Sequence, residues 1–425
     1  MIKPVIYNGE KAEALFGARE EASDKAEQTV KAIISDVRDR GDAALREYSA
    51  KFDGYTGAEL EVTQAESDRA EREVAPEFKE TLLRAADNIR AFHARQKRDG
   101  FELNADGRIV GQKVIPLARA AIYVPGGTAA YPSTVLMNAI PAKIAGVGEV
   151  IMATPVKADG KVKPEVLAAA RVCGVDRVFK MGGAQAIAAL AYGTESVPKV
   201  DKITGPGNIF VATAKRLVAG VACGIDMIAG PSEILVVADG GAIAEHVAAD
   251  LLSQAEHDAL ASAVLICDDV KFAERVISCM YRRLERLPRR EIATASVENN
   301  SKVIITDSVA TAVGLADEYA PEHLELCVKD PFALLDKVRN AGSVFLGYNT
   351  PEAVGDYFAG ANHTLPTNGT ARFSSPLGVE DFVKTTQYIY YDESAICRAA
   401  DDVARFARAE GLTAHAESVE VRAEK

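Results

Sequence analysis

Gln254 and His257 stand three residues apart in LLSQAEHDAL, a stretch that reads as a helix. An i,i+3 offset puts both side chains on one helix face. An imidazole nitrogen and an amide oxygen suit a borderline divalent ion. Two ligands hold a metal poorly, so others have to come from elsewhere in the chain. The plainer alternative is a solvated polar pair. Of the remaining histidines, His93 and His246 sit in ordinary helical stretches and read as structural. His323, His363 and His415 lie in the polar stretches YAPEHLEL, GDYFAGANHTLPTNGTARFSSP and EGLTAHAE, with Asp356 ahead of His363. Glu322 directly precedes His323. Adjacent residues face apart on a strand and do not meet on a helix, so the two serve one site only where the chain bends. Pro321 is compatible with a bend. The alternative for Glu322 is a solvated loop carboxylate, and for His415 a histidine near a frayed terminus.

These residues need elements to position them. From about Ala22 to Arg98 the chain is polar, with Val30, Ile33, Ile34 and Val37 at helical spacing, which predicts a helical region. Beyond Val114 short β-branched runs alternate with Ala-rich helical ones. AAIYV, EVIMAT, RVFKM, DKIT, ILVVAD, VLICDD, KVIITD, HLELCV and SVFLG are the expected strands. Alternation of this kind means βαβ units and mostly parallel sheet, and continuous apolar strands mean that both faces are covered. About ten strands are too many for one small sheet. The fold class expected is therefore α/β: two doubly wound, Rossmann-like parallel-sheet domains joined near Gly224 to Glu233, with smaller helical N- and C-terminal segments. The boundaries expected are 1–29 for the N-terminal segment, 30–115 together with 234–380 for the first α/β domain, 116–233 for the second, and 381–425 for a charged, helical tail.

Ligands of such sheets bind at the loops after the strands. YVPGGTAAYPS, KMGGAQA, TGPGNIF and AGPSE each join an apolar run to a helical one. Glycine permits close backbone approach, and the helix N-terminus that follows attracts anions. Taken singly, each is an ordinary tight turn. Four together point to a nucleotide-sized ligand. GxGxxG does not occur, so any dinucleotide mode is atypical.

Composition narrows the class. The chain has 425 residues, 48% hydrophobic and 26% charged, which is ordinary for a soluble globular protein. Lys plus Arg number 49 and Asp plus Glu 61, a net charge of −12, so nucleic-acid and membrane partners are not expected. The basic run YRRLERLPRR reads as a helix end. Six cysteines without a CxxC pair suggest buried thiols in a reducing compartment. With no signal-peptide pattern and no long apolar run, a cytoplasmic enzyme or binding protein is expected.

Longer motifs now carry a resemblance. IYVPGGTAAYPSTVLMNAIPAKIAGV, GGAQAIAALAYGT, ITGPGNIFVATAK, DMIAGPSEILVVAD, LLSQAEHD, YAPEHLEL, GSVFLG and NHTLPT resemble the histidinol dehydrogenases, over nearly the whole chain from about Ala26. The resemblance implies one zinc ion per subunit, held by Gln254, His257, Asp356 and His415. It implies Glu322 and His323 as the acid–base pair, and NAD contacts at Tyr123, Gln185 and Asn208. Substrate contacts would fall on Ser232, His363 and Glu410, together with Gln254, His257, His323, Asp356 and His415. It further implies a homodimer with shared sites, Glu410 and His415 reaching into the partner's. The activity implied is oxidation of L-histidinol through L-histidinal to L-histidine with two NAD, the last step of histidine biosynthesis.

Three rivals stay open. A relative on the same scaffold could oxidise another small substituted alcohol, such as a sulfopropanediol. A carboxylate at Glu410 suits a cationic substrate better than a sulfonate. A zinc hydrolase would need an open metal position for water. A non-catalytic metal-binding protein would have no use for Glu322-His323 or the glycine-rich loops.

Overall fold

The computed structural model describes residues 2–17, 24–126 and 130–424. The chain divides into two compact units, Met1–Gln96 with Ala118–Phe382, and Lys97–Leu117 with Val383–Lys425.

The first unit is the α/β structure expected. Its two sheets are parallel throughout. The five-stranded sheet runs, edge to edge, Arg177–Lys180, Glu149–Thr154, Arg119–Tyr123, Lys202–Thr204, Gly224–Ile225. The six-stranded sheet runs Val5–Ile6, Lys302–Ile305, Ser262–Cys267, Glu233–Ala238, His323–Cys327, Ser343–Leu346. Every strand expected from the sequence is present. Glu233–Ala238 is buried at all six positions, as a central strand covered on both faces must be. The two edge strands Val5–Ile6 and Gly224–Ile225 were not foreseen; at two residues each they carry no pattern to detect.

Each sheet has its own core. Helix Asp24–Arg40 buries Val30, Ile33, Ile34 and Val37 with Ala121, Ile151, Phe179 and Ile203 of the five-stranded sheet. Helices Ala244–Ala255 and Val270–Leu284 bury Val247, Leu251, Phe272, Val276 and Met280 on one face of the six-stranded sheet. Helix Val309–Tyr319 packs Ala312, Val313 and Ala316 on the other. All six cysteines are free, and Cys173, Cys223, Cys267 and Cys327 are buried.

The second unit corrects the expected helical tail. Val383–Tyr391 is a strand, paired antiparallel with Arg108–Pro116, which pairs in turn with Phe101–Ala105. VKTTQYIYY is β-branched and aromatic, and that propensity prevails over the flanking charge. Asp106 and Gly107 join the hairpin, with φ of 54° and 78°, the left-handed pair that a two-residue turn requires. Helices Glu393–Ala409 and Thr413–Ala423 follow, linked by the Arg408–Glu420 ion pair. Among the described residues, no helix is long and apolar enough to cross a membrane.

Candidate active site

Glu322 and His323, the pair expected to act as acid and base, sit where the His323–Cys327 strand begins. Helix Val309–Tyr319 ends at Ala320, whose φ of 53° turns the chain, and Pro321 leads into Glu322. Both side chains then engage the backbone of one residue on the adjacent central strand. Glu322 Oε2 accepts from Glu233 N at 2.9 Å, and His323 Nδ1 lies 3.0 Å from Glu233 O. Two adjacent residues thus converge, because they straddle the amide and carbonyl of the same neighbour. The two side chains are 3.6 Å apart.

A carbonyl only accepts, so His323 Nδ1 carries a proton and donates it. That leaves Nε2 facing inward. It has no hydrogen-bond partner among the described residues and lies 3.6 Å from Asp356 Oδ1. Glu322 and His323 are 8% and 3% exposed. Burial pushes the Glu322 carboxyl up to about 7, partly offset by the imidazole beside it. Burial opposes charge on His323, but Glu322 and Asp356 outweigh it and push the ring up to about 10. The same ring and the charge of His363 hold Asp356 well below the usual carboxylate range despite its burial.

Asp356 lies on the short helix Glu352–Tyr357. His363 Nδ1 is 3.0 Å from the Asp356 carbonyl, and its Nε2 lies 3.4 Å from Thr134 Oγ1. Thr134 opens helix Pro132–Ala145, which follows the first glycine-rich loop, so this contact ties the site to the five-stranded sheet.

Gln254 is 0% exposed, and neither its amide oxygen nor its nitrogen has a hydrogen-bond partner among the described residues. Buried amides are almost always satisfied, so this one is aimed at something other than protein. The expected shared helix face needs correcting. Helix Ala244–Ala255 ends before His257, Glu256 caps it, and His257 N returns to Gln254 O at 3.0 Å. His257 stands past the end of the helix, exposed, with Nδ1 3.4 Å from Ser232 Oγ.

Two buried acids near this site, Glu352 and Glu325, were not singled out from the sequence. Ligand atoms of His323, Glu352 and Asp356 all lie within 4.8 Å of one another. Glu352 accepts from Ser253 Oγ at 2.8 Å, and burial pushes its carboxyl up to about 8. Glu325 Oε1 accepts from Glu352 N at 2.7 Å, and burial raises Glu325 strongly, with Asp250 adding to it. The i,i+4 spacing of Glu352 and Asp356 in PEAVGDY was the available signal.

At the five-stranded sheet the strand order reverses between Arg119–Tyr123 and Lys202–Thr204. A crevice at the carboxyl ends of such strands is where open α/β sheets bind ligands. Tyr123 and Gln185 are buried there, and Gly183 N donates to Tyr123 Oη at 3.1 Å. Asn208 is exposed and caps helix Ile209–Val218, accepting from Phe210 N and Val211 N at 3.1 and 3.2 Å. A cavity of about 330 Å³ opens beside Pro125, Gly126, Thr154 and Pro155; none of the acid–base residues line it. Gly127, Thr128 and Ala129 of the first loop lie outside the described residues. Glu410 and His415 belong to the second unit and are exposed on it.

The buried Glu322–His323–Asp356 cluster is tied through the Thr134–His363 contact and one helix to the crevice of the five-stranded sheet. Its relatives place this α/β chain among the NAD-dependent dehydrogenases. Residues 17–423 match the family model described as histidinol dehydrogenase. The histidinol dehydrogenase of Geobacter metallireducens is 54% identical over 413 residues, 96% of this chain and 94% of the relative. That of Lactococcus lactis is 49% identical over 428 residues, 99% of each. A crystal structure of histidinol dehydrogenase from Elizabethkingia anophelis superposes with a TM-score of 0.94 at 36% identity, covering 99% of this chain and 98% of that one. The chain belongs to the histidinol dehydrogenase family.

Proposed function

We propose that the protein oxidises L-histidinol through L-histidinal to L-histidine, reducing two NAD and completing histidine synthesis. The observation that carries the reading is His323 Nε2, buried and without a hydrogen-bond partner among the described residues, backed by the Nδ1–Glu233 contact; the Gln254 amide is likewise buried and unpartnered among them.

His323 receives the hydroxyl proton at Nε2 as hydride leaves the carbinol carbon for the nicotinamide. Its Nδ1 contact with the Glu233 carbonyl fixes the ring and its tautomer. Glu322 takes the proton of the water that adds to the aldehyde, since burial raises the proton affinity of its carboxylate. A second hydride leaves the hydrate carbon for a second NAD as His323, its first proton given up to solvent, takes a hydroxyl proton, and the acid formed ionises to the carboxylate product. The Gly205–Asn208 turn and the helix N-terminus behind Asn208 suit the pyrophosphate of NAD.

The nitrogen and oxygen donors of Gln254, His257 and Asp356 fit a zinc ion, and an orphaned amide inside the site is what such an ion would satisfy. When bound, the ion would grip the imidazole and amine of the substrate and draw on the Asp356 charge, favouring neutral His323. The fourth ligand would be His415 of the partner subunit, with the partner subunit's Glu410 on the substrate amine. Phe101, Leu103, Ile389, Tyr390 and Phe406 leave an exposed apolar set on the second unit, which supports a homodimer as the working form.

The test is stoichiometric. Protein supplied with zinc, NAD and limiting histidinol should yield about two NADH per substrate, and a sulfonated diol run beside it should yield none. One NADH per histidinol would overturn the reading.

A further inference from the structure

At the crevice of the five-stranded sheet, two parallel strands part. Their register ends at Ile122 opposite Thr204, and Gly205 turns off the ladder with φ of 105°. A Cβ on Gly205 would stand 2.2 Å from the Tyr123 carbonyl oxygen, so only glycine fits this approach. Both backbone polar groups of Gly205 go to a single ion pair. Its N–H donates to Asp226 Oδ2 at 2.8 Å, and its carbonyl accepts from Lys215 Nζ at 2.8 Å. Lys215 and Asp226 are 2.5 Å apart, with side chains 2% and 1% exposed. They come from different elements. Lys215 reaches back from helix Ile209–Val218, and Asp226 stands just beyond the edge strand Gly224–Ile225.

A fully buried ion pair is seldom more stabilising than apolar residues of the same volume, so its presence points to the fixing of one particular conformation. The conformation fixed here is that of the turn carrying Asn208. Three elements are pinned to one residue: the central strand through Tyr123, the edge strand through Asp226, and the helix through Lys215.

We propose that Lys215 and Asp226 are positioning residues for the dinucleotide. By gripping Gly205 from both sides, they hold Asn208 and its helix N-terminus at the distance from Tyr123 that the NAD pyrophosphate needs. The inference rests on the reading of this crevice as the NAD site. Neither residue touches the acid–base pair, so the effect falls on one substrate only.

The test removes both charges together with Lys215→Met/Asp226→Leu, which leaves no unpaired buried ion. NAD is titrated by calorimetry, and steady-state rates are measured against NAD and against histidinol. NAD should bind about tenfold more weakly or worse, and KM for NAD should rise alongside, while KM for histidinol stays within about twofold. NAD affinity within about twofold of wild type, or a loss shared equally by both substrates, overturns the proposal. If the double variant does not fold, Lys215→Met alone is used, where Asp226 still accepts from the Gly205 N–H; the same split is expected, and its absence is equally decisive. Wild-type NAD affinity that is unchanged by Asn208→Ala would instead sink the reading of the crevice.

Discussion

Gln254→Met separates the roles of the buried amide. In wild-type protein without metal, the amide is wholly enclosed with neither polar atom partnered among the described residues. Leaving a buried polar group unsatisfied costs about 1–3 kcal/mol. Methionine has nearly the same shape and no such need, so the metal-free variant should be more stable by about that amount. Unfolding entropy of roughly 2 cal/mol/K per residue, over 425 residues, makes 1 kcal/mol worth about 1 °C in Tm. The variant should therefore melt about 1–3 °C above wild type in chelator. Zinc should reverse the order. A ligand at about 100 times its Kd stabilises by about 2.7 kcal/mol, so wild type should gain about 3 °C and the variant almost nothing. Scanning calorimetry with chelator and then with zinc, alongside bound-metal analysis, reads both arms. A variant that melts below wild type in chelator would show that the amide carries no penalty. One that gains as much from zinc would remove Gln254 from the metal site.

Further outcomes follow from the same geometry. His323→Asn should lower the first oxidation about 10²–10⁴-fold while bound zinc, measured on the same sample, stays at the wild-type level; zinc loss would reassign the residue. Glu322→Gln and His415→Ala, each inactive alone, should recover about a quarter of wild-type activity when co-expressed, because half of the dimers are mixed and each of those has one intact site; no recovery would mean sites that are not shared. Burial alone lifts the Asp53 carboxyl from 3.8 to about 6, so the fold favours its protonated form. That cost is absent below about pH 4 and complete above about pH 6. Asp53→Asn should raise Tm at pH 7.5 and leave it unchanged at pH 4, and an equal rise at both would refute the cause.

The parallel strands were legible because strands covered on both faces leave continuous apolar runs, as in Glu233–Ala238. The antiparallel sheet was not, since Phe101–Ala105 and most of Val383–Tyr391 are exposed and polar in alternation. The Asp106-Gly107 turn was the one local sign of it. Gln254, Asp356 and His323 could be singled out by residue type and spacing. How Glu322 and His323 meet could not, because the group that unites them is the backbone of Glu233, some 90 residues away. Glu325 stayed hidden for a similar reason: inside an apolar strand it reads as an exception, until its carboxylate is seen capping Glu352.

Glu322 and His323 are both fastened by their side chains to one residue of a central strand, Glu233. A slip of one residue between these strands would exchange amide for carbonyl and disarm both groups at once, so the chemistry inherits the stiffness of the sheet. The amide of Glu233 should be among the last in the chain to exchange with heavy water. On the function proposed, diversification toward other alcohols would fall to the segment around His363, which is held to the Asp356 carbonyl and not to Glu233.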